Sequence, residues 1–339
     1  MDLSIIVPIY NVEKYVRACI ESLYRQGLDE SRYEVILIND GTQDRSLEII
    51  QDIIDQHDNI TVIHQENQGL SIVRNKGIAI ARGDYLLLPD SDDMLIDNSV
   101  KPMLEKALEE EPDMIIADFV QMNDNEIAFL NKKPIQQANE FTTIDIQGHE
   151  LLEENYCRYY WRTMYKKRFL IDNNISFIPG IYAQDIPFTN ECFLKVEKCL
   201  KTTWLLNIYR RGHSSASSLY SLRRANDTSI ALGKVWNFIN TNLPPLTKQK
   251  QEELVFHLFL SHIYAIPFGH LKGLPEIIKA YDFMKSELPI LSFKHNLRQR
   301  IWTFLFYKVP TPIFSLFIYL KVSILKKSNQ SPTLSHVSD

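Results

Sequence analysis

Short apolar runs alternate with helical segments over the first 119 residues of this chain. Between the runs, apolar side chains recur every three or four residues, which is the spacing of one helix face. Parallel neighbouring strands need such crossovers, so the alternation predicts a mainly parallel sheet with helices on both faces, an α/β fold. The expected strands are residues 3–10, 33–39, 60–64, 84–89 and 113–119, and the expected helices are residues 11–27, 46–56, 70–82 and 99–110.

The rest of the chain follows different patterns. Residues 120–150 are polar and are expected to be irregular, whereas helical periodicity predominates from residue 225 onward. The length of 339 residues, with 45% apolar and 23% charged residues, fits about two globular domains and excludes a disordered or disulfide-scaffold protein. A net charge of −5 argues against a general nucleic-acid binder.

Cysteine use and the N-terminus indicate the compartment. The four cysteines form no C-x-x-C pair, and no basic segment precedes the first apolar strand. These features predict reduced thiols in a cytoplasmic protein without a visible signal peptide.

The end of the chain is basic and aromatic. Residues 288–338 contain seven lysines and arginines and no aspartate or glutamate. Lysines and prolines interrupt the apolar segment 301–325, which makes it a poor spanning helix and favours a segment lying in an anionic membrane interface. The alternative is a helix packed on the rest of the chain, with its aromatic residues in the core. Residues 328–339 are expected to be disordered.

Polar residues gather where the predicted strands end. The first strand is followed by Asn11, the second ends in Asn39-Asp40, and the run 84–89 leads into Asp90-Ser91-Asp92-Asp93. Ligands of parallel sheets bind beyond the carboxyl ends of the strands. Carboxylates with one residue between them, at such a strand end, can hold a hard divalent cation that also binds diphosphate oxygens. The alternative is that these acids cap the following helix.

Four motifs follow one another along the chain, at Ser4–Asn11, Glu34–Asp44, Asn67–Gly77 and Gly83–Asp93. In this order they resemble glycosyltransferase family 2, whose members are inverting enzymes with the Rossmann-like GT-A fold. The resemblance is strong over residues 1–95 and extends to about residue 222. It implies a catalytic domain at 1–222, with nucleotide-sugar binding at 1–95 and the acceptor side at 120–222, followed by a helical region at 223–327.

The resemblance also implies how the nucleotide is held. Backbone at Pro8–Tyr10 and the Asp40 carboxylate would bind uridine. Glu13 would touch the ribose, or would be a first-turn acid of the following helix. The family often has two acids at the second strand end, and Asn39 replaces one of them here, which affects a supporting role.

The diphosphate and donor sugar are assigned to the next two motifs. Asp92 would ligate Mn²⁺ or Mg²⁺, while Asp90 and Ser91 would face the ribose or the sugar and Asp93 would orient its neighbours. Arg74 and Asn75 would lie near the diphosphate. For Arg74 the alternative is a solvated cation on a helix face.

The segment Gly180–Phe188 resembles the acidic motif of the family, which usually reads Glu-Asp. Gln184-Asp185 keeps the second acid, so Asp185 is the expected base that takes the acceptor hydroxyl proton. Asp185 could also cap a helix at 187–194. Further along, Arg210, Arg211 and His213 align with a loop that closes over the donor in relatives. Trp161 would stack on a sugar or be ordinarily buried.

These assignments imply a metal-dependent transferase of the hexosyltransferase type that uses a UDP-sugar. It would extend a lipid-carried surface glycan, such as capsule, O-antigen or exopolysaccharide, at the inner face of the cell membrane. One alternative is a sugar-1-phosphate nucleotidyltransferase, although the glycine-rich phosphate loop of such enzymes is missing near the first strand. Another is a non-catalytic membrane-bound scaffold, which the presence together of Asp40, Asp90, Asp92 and Asp185 argues against.

Overall fold

A computed structural model describes residues 1–130, 134–138, 140–153, 159–212, 221–242, 245–268, 273–288 and 297–327. In these residues, nine strands form one sheet: β1 (Leu3–Ile9), β2 (Tyr33–Asp40), β3 (Ile60–Gln65), β4 (Tyr85–Leu87), β5 (Met94–Leu95), β6 (Met114–Asn123), β7 (Ile144–Ile146), β8 (Thr163–Lys166) and β9 (Cys199–Arg211). Their order in the sheet is β3-β2-β1-β4-β8-β6-β9-β5, and β7 also pairs with β9. The pairs among β1 to β4 and between β6 and β9 are parallel, while β5, β7 and β8 run antiparallel to their neighbours.

Helices connect these strands and make up the C-terminal region. The predicted α/β class, with a mostly parallel sheet followed by a helical region, is therefore confirmed. The helices are α1 (Val16–Leu23), α2 (Ser46–Ile49), α3 (Gln51–Gln56), α4 (Leu70–Ile80), α5 (Val100–Glu110), α6 (Asp124–Ala128), α7 (Gly148–Glu153), α8 (Lys167–Asp172), α9 (Asp185–Lys195), α10 (Leu222–Asn242), α11 (Pro245–Phe268), α12 (Leu274–Glu287), α13 (Leu297–Lys308) and α14 (Thr311–Lys327).

Local predictions were wrong at three places. The helix expected from residue 11 begins only at Val16, because Asn11 adopts a positive φ of 52° and its Oδ1 accepts from the backbone N–H of Gln43. The helix expected over residues 46–56 is interrupted at Ile50. Residues 120–150, expected to be irregular, include the end of β6, the helix α6 with a capping box at Asn123, and the strand β7.

Strand β1 is buried along its whole length, which places its end at a fixed point of the sheet. On one face, Ile5 and Val7 belong to a core that includes Ile20 of α1 and Met103 of α5. On the other face α4 packs closely, since a Cβ added at Gly77 would lie 2.3 Å from Cγ2 of Ile6. This close approach fixes the position of α4 relative to the ends of β1 and β2.

The chain forms two compact units. The first comprises Met1–Leu151, Cys157–Gly180 and Cys192–His213, and the second comprises Leu152–Tyr156, Ile181–Glu191 and Ser214–Asp339. The expected functional division at residue 222 stays a prediction.

In the second unit, helices pack through a few buried polar contacts. Ser229 Oγ on α10 lies 3.0 Å from Nε2 of His262 on α11, and burial lowers the pKa of His262 to about 4. The Tyr281 hydroxyl on α12 donates to the Ile263 carbonyl at 2.6 Å. None of the helices in the described ranges combines the length and the hydropathy that a bilayer-spanning segment requires.

Candidate functional site

Three carboxylates form a cluster in the turn between β4 and β5. Asp90, Asp92 and Asp93 each place an oxygen within 4.8 Å of the others. Strand β9 holds this turn, because the Arg210 backbone N–H donates to Asp93 Oδ1 at 2.8 Å and Arg210 Nε donates to the Asp92 carbonyl at 2.9 Å. The sequence run Asp90–Asp93 therefore forms a single acidic site in a fixed turn.

Arg74 and Tyr160 bind one end of the acidic cluster. Arg74 on α4 is 1% exposed, and its Nη2 lies 2.5 Å from Asp90 Oδ1. The Tyr160 hydroxyl accepts from Arg74 and donates to Asp90, and the guanidinium lies 4.2 Å from the centre of the Tyr160 ring. Burial raises the pKa of Asp90, and the Arg74 charge opposes that shift. The alternative of a solvated helix-face cation is therefore wrong for Arg74.

Asp93 lies deepest in the cluster. Burial, with repulsion from Asp92 and Asp90, raises the pKa of Asp93 to about 9. Its Oδ2 is buried and has no hydrogen-bond partner in the described part of the chain. Three oxygen donors with concentrated negative charge, one of them unpartnered, suit a hard divalent cation such as Mn²⁺ or Mg²⁺. The residues present thus fit the predicted metal, and the structure adds Asp90 and Asp93 to Asp92 as possible ligands.

Asp40, at the end of β2, shapes the loop that leads into α4. Its side chain is buried; Oδ1 accepts from Gln65 Nε2 at 2.8 Å and from the Gln68 N–H at 2.9 Å, and Oδ2 accepts from the Gly69 N–H at 2.8 Å. A nucleobase N–H would have to share the carboxylate with these three donors. The predicted contact with uridine stays a prediction, and the observed bonds give Asp40 a positioning role.

Asn39 is also fixed in place. Its Nδ2 lies 3.1 Å from Nδ1 of His64, and its Oδ1 accepts from the Thr42 N–H at 2.8 Å. The amide therefore supports the turn after β2, where the family often has an acid.

The end of β1 presents one exposed ring. Pro8 is buried, and the side chain of Tyr10 is exposed. Glu13 precedes α1, which begins at Val16, so the alternative of a first-turn helix acid is wrong. The Glu13 Oε2 instead accepts from the Arg45 N–H at 3.2 Å. The proposed contacts of Pro8, Tyr10 and Glu13 with a nucleoside stay predictions, as does that of the buried Ser91 with the donor.

The two arginines at the end of β9 do not lie in a loop. The loop placement was wrong because β9 pairs with β6 as far as Arg211. The Arg210 guanidinium is buried against Asp124 and lies 4.8 Å from the Tyr15 ring centre. The exposed Arg211 donates from Nη1 to Gln121 Oε1 at 2.7 Å. His213, the third member of the expected group, lies outside the described residues.

The acceptor-side candidates lie in different settings. Asp185 is the first residue of α9, which begins two residues before the expected helix, and it belongs to the second unit. Trp161 is buried, and its ring stacks on Tyr159 at 4.9 Å and on Tyr209 at 5.5 Å between centres. Trp161 is thus part of an aromatic group within the first unit, in agreement with the alternative that it is an ordinary buried residue.

Sequence reasoning missed two residues that complete the acidic site. Tyr160 contacts Asp90 from 70 residues away, and Asp124 contacts the arginine that supports the acidic turn. Neither residue stands in a motif that marks its role. Asn75 was assigned near the diphosphate, whereas its amide exchanges two hydrogen bonds with the Phe177 backbone, at 2.8 and 2.9 Å.

The sequence model named Glycosyl transferase family 2 matches residues 4–173, half of the chain. The chain belongs to glycosyltransferase family 2. The match contains Asp40, Arg74, Tyr160 and the acidic cluster at Asp90–Asp93.

A bacterial glycosyltransferase resembles the chain over more residues than the family model matches. The chain is 35% identical over 221 residues to an uncharacterized glycosyltransferase, EpsJ of Bacillus subtilis. That alignment covers 64% of this chain and 63% of EpsJ. The chain thus spans somewhat under two thirds of this relative.

Two solved structures share the fold of this family 2 chain. TarS of S. aureus, residues 1–349, in complex with UDP-GlcNAc, aligns with a TM-score of 0.72 over 98% of this chain and 93% of that one, at 19% identity. The mannosyltransferase PcManGT of Pyrobaculum calidifontis, in complex with GDP-Man and Mn²⁺, aligns with a TM-score of 0.54 over 94% of this chain and 86% of that one, at 13% identity. Both the sheet and the helical C-terminal region therefore have counterparts in a known fold.

Proposed function

We propose that the chain is a metal-dependent inverting glycosyltransferase that moves a sugar from a UDP-sugar to a glycan acceptor. The observation that carries the proposal is the cluster of Asp90, Asp92 and Asp93, which the guanidinium of Arg74 and the hydroxyl of Tyr160 hold from one side. The cluster follows β4, at the sheet edge where ligands of parallel strands bind.

The choice of donor is supported by the structural relatives. The TarS complex contains UDP-GlcNAc, and the PcManGT complex contains GDP-Man with Mn²⁺. A sugar nucleotide with a divalent cation suits a cluster of three carboxylates better than a metal-free donor, because diphosphate oxygens would complete the coordination. We therefore assign a UDP-sugar, with UDP-GlcNAc as the first candidate.

Asp92, with Asp90 and Asp93 beside it, would hold Mn²⁺ or Mg²⁺. When bound, the cation would neutralise charge on the diphosphate as it departs. Arg74 and Tyr160 fix the orientation of the Asp90 carboxylate by direct contact, so the ligand set is preorganised before substrate arrives. The exposed Tyr10 ring offers a stacking surface for the base.

In the transfer step, the acceptor hydroxyl oxygen attacks the anomeric carbon from the face opposite the diphosphate. The new carbon–oxygen bond forms as the bond to the diphosphate breaks, and the hydroxyl proton passes to a carboxylate base. For that base we retain Asp185 on the strength of its family motif. General base catalysis of this kind contributes about 10²–10⁴-fold in rate.

We further infer that the acceptor is a lipid-linked glycan of a bacterial surface polysaccharide, reached at the inner face of the membrane. The basic, acid-free segment 288–338 supports this inference, since it suits a negatively charged lipid surface. The similarity to EpsJ, a glycosyltransferase of Bacillus subtilis, is compatible with a bacterial glycan as acceptor.

A transfer assay tests the proposal. UDP released from UDP-GlcNAc would be measured with Mn²⁺ and a detergent extract of bacterial lipid-linked saccharides. We expect Asp185→Asn to lower the rate by roughly 10²–10⁴-fold while nucleotide binding persists. Asp172→Asn, in α8, is the matched surface control and should keep the wild-type rate. A wild-type rate in Asp185→Asn would remove Asp185 from the mechanism.

A further inference from the structure

Helix α14 is apolar on two opposite faces. One face is buried and contains Phe314, Ile318 and Val322. The other carries a stripe of four large apolar side chains with 46–61% exposure, at the i, i+3, i+4, i+7 spacing of a single helix face. The stripe consists of Ile313, Leu316, Phe317 and Leu320.

Helix α13 repeats this arrangement. Its Phe306 is buried, whereas Leu297, Ile301 and Phe304 are 72%, 48% and 60% exposed, at i, i+4 and i+7. A helix that packs by one face usually turns polar residues outward, so two consecutive helices with outward apolar stripes need an explanation.

The two stripes both face away from the interior of the second unit. Phe306 and Phe314 lie 5.5 Å apart and both contact the ring of Tyr281 on α12, at 6.5 and 5.2 Å. The stripe residues lie on the sides of α13 and α14 opposite to these buried rings. The exposed faces of the two helices are therefore both turned outward from Tyr281.

The charges beside the stripes are of one sign. Arg300 and Lys308 on α13 and Lys321 on α14 are all exposed, and the sequence has no acid between residues 288 and 338. A second copy of this chain would bring the same positive charges against them, which disfavours self-association through this face. Anionic headgroups would complement the charges, and acyl chains would bury the apolar side chains.

We propose that the outward faces of α13 and α14 form a docking surface for an anionic lipid bilayer. The helices lie along the membrane interface, with Ile313, Leu316, Phe317 and Leu320 inserted below the headgroups and Arg300, Lys308 and Lys321 at headgroup level. The docking surface rests on the membrane location proposed above and deepens it by naming the side chains that contact the lipid. Because lipid binding needs neither donor nor acceptor, failure of the docking surface and failure of the transferase activity are distinguishable.

Vesicle co-sedimentation of the full chain tests the docking surface. The chain should bind vesicles of mixed phosphatidylcholine and phosphatidylglycerol, and bind vesicles of phosphatidylcholine alone far more weakly. Phe317→Ser with Leu320→Ser should weaken binding by at least about tenfold. Arg300→Gln with Lys308→Gln should weaken it by roughly fivefold per charge removed.

A matched double variant controls for the loss of exposed apolar surface as such. Phe129→Ser with Ile171→Ser removes side chains that are 59% and 51% exposed in the first unit, and should bind vesicles like the wild type. All the substituted side chains are exposed, so circular dichroism and melting temperature should be unchanged.

Three results would overturn the docking surface. One is that the double variant Phe317→Ser, Leu320→Ser binds anionic vesicles as tightly as the wild type does. Another is equal binding to neutral and anionic vesicles. The third is a dimer in light scattering that the stripe variant abolishes, since a second copy would then cover the stripe.

Discussion

Arg74 and Tyr160 show how single side chains set the orientation and the electrostatic surroundings of a carboxylate. Asp90 contacts a buried guanidinium and a phenol hydroxyl, so a positive charge already faces its carboxylate before any ligand binds. Such charge-assisted hydrogen bonds are stronger than neutral ones because the donor or the acceptor carries a full charge. The tyrosine contributes both a hydroxyl and a ring face, on which the guanidinium lies at 4.2 Å.

We expect Tyr160→Phe to keep the ring and lose the bridge between Arg74 and Asp90. The free energy of unfolding should fall by about 1–3 kcal/mol, because the buried Arg74 and the partly buried Asp90 both lose a hydrogen bond. Urea denaturation measures this, and the exposed Tyr319→Phe is the control expected to show no loss. Equal stability of Tyr160→Phe and wild type would mean that the hydroxyl is not bonded as described.

At the scale of secondary-structure elements, the predictions succeeded where the signal was local. Buried strands such as β1 and β2 are continuous apolar runs, and α4 and α5 have a helical apolar period, so all four were predicted from short windows. The short strands β5 and β7 were missed because they exist through pairing with β9, which lies far away in sequence. The start of α1 was missed for the same reason, since Asn11 is held by Gln43.

Close packing between α4 and the sheet makes Gly77 sensitive to substitution. Although alanine has the higher helix propensity, Gly77→Ala should lower the free energy of unfolding by about 1–3 kcal/mol, because its Cβ would meet the stiff branched side chain of Ile6 at 2.3 Å. A double-mutant cycle with Ile6→Ala checks the cause. The double variant should cost less than the sum of the singles, and strict additivity would contradict the predicted clash.

Glu34 links three segments of the first unit and should make stability depend on pH. It accepts from Ser4 Oγ and from the Arg82 N–H, both at 2.6 Å. Burial opposes ionisation, yet these hydrogen bonds and the Arg82 charge lower the pKa of Glu34. Because the folded pKa is below the unfolded value, the stabilisation is complete above the ordinary glutamate pKa and is lost as pH falls through the folded value.

The expected result for Glu34→Gln follows from that sign. At pH 7 the variant should lose about 1–3 kcal/mol of unfolding free energy, and the difference should shrink as pH falls below about 4. Chemical denaturation over a pH series measures it, with the exposed Glu105→Gln as the matched control. A difference that does not change with pH would show that ionisation of Glu34 is not its source.

At the scale of the whole molecule, the sequence predicted where the acidic site lies but not which residues contact it. Asp90, Asp92 and Asp93 were expected at the sheet edge because strands of a parallel sheet end together, and the family match over residues 4–173 includes them. Their partners were not predictable, since Tyr160 and Arg210 approach from 70 and 117 residues away without a local pattern. The same limit applied to Asp40, whose bonds to Gln68 and Gly69 depend on tertiary packing.

The central claim, a metal-dependent site for a UDP-sugar at the acidic cluster, is tested most directly by thermal shift with UDP, with and without Mn²⁺. A ligand at 100 times its dissociation constant adds about 2.7 kcal/mol of stability, so a shift is measurable. We predict that UDP raises the melting temperature only with Mn²⁺, that Asp92→Asn abolishes the rise, and that the exposed Asp97→Asn retains it. A rise that persists without metal or in Asp92→Asn, or no rise with UDP at all, would contradict the account.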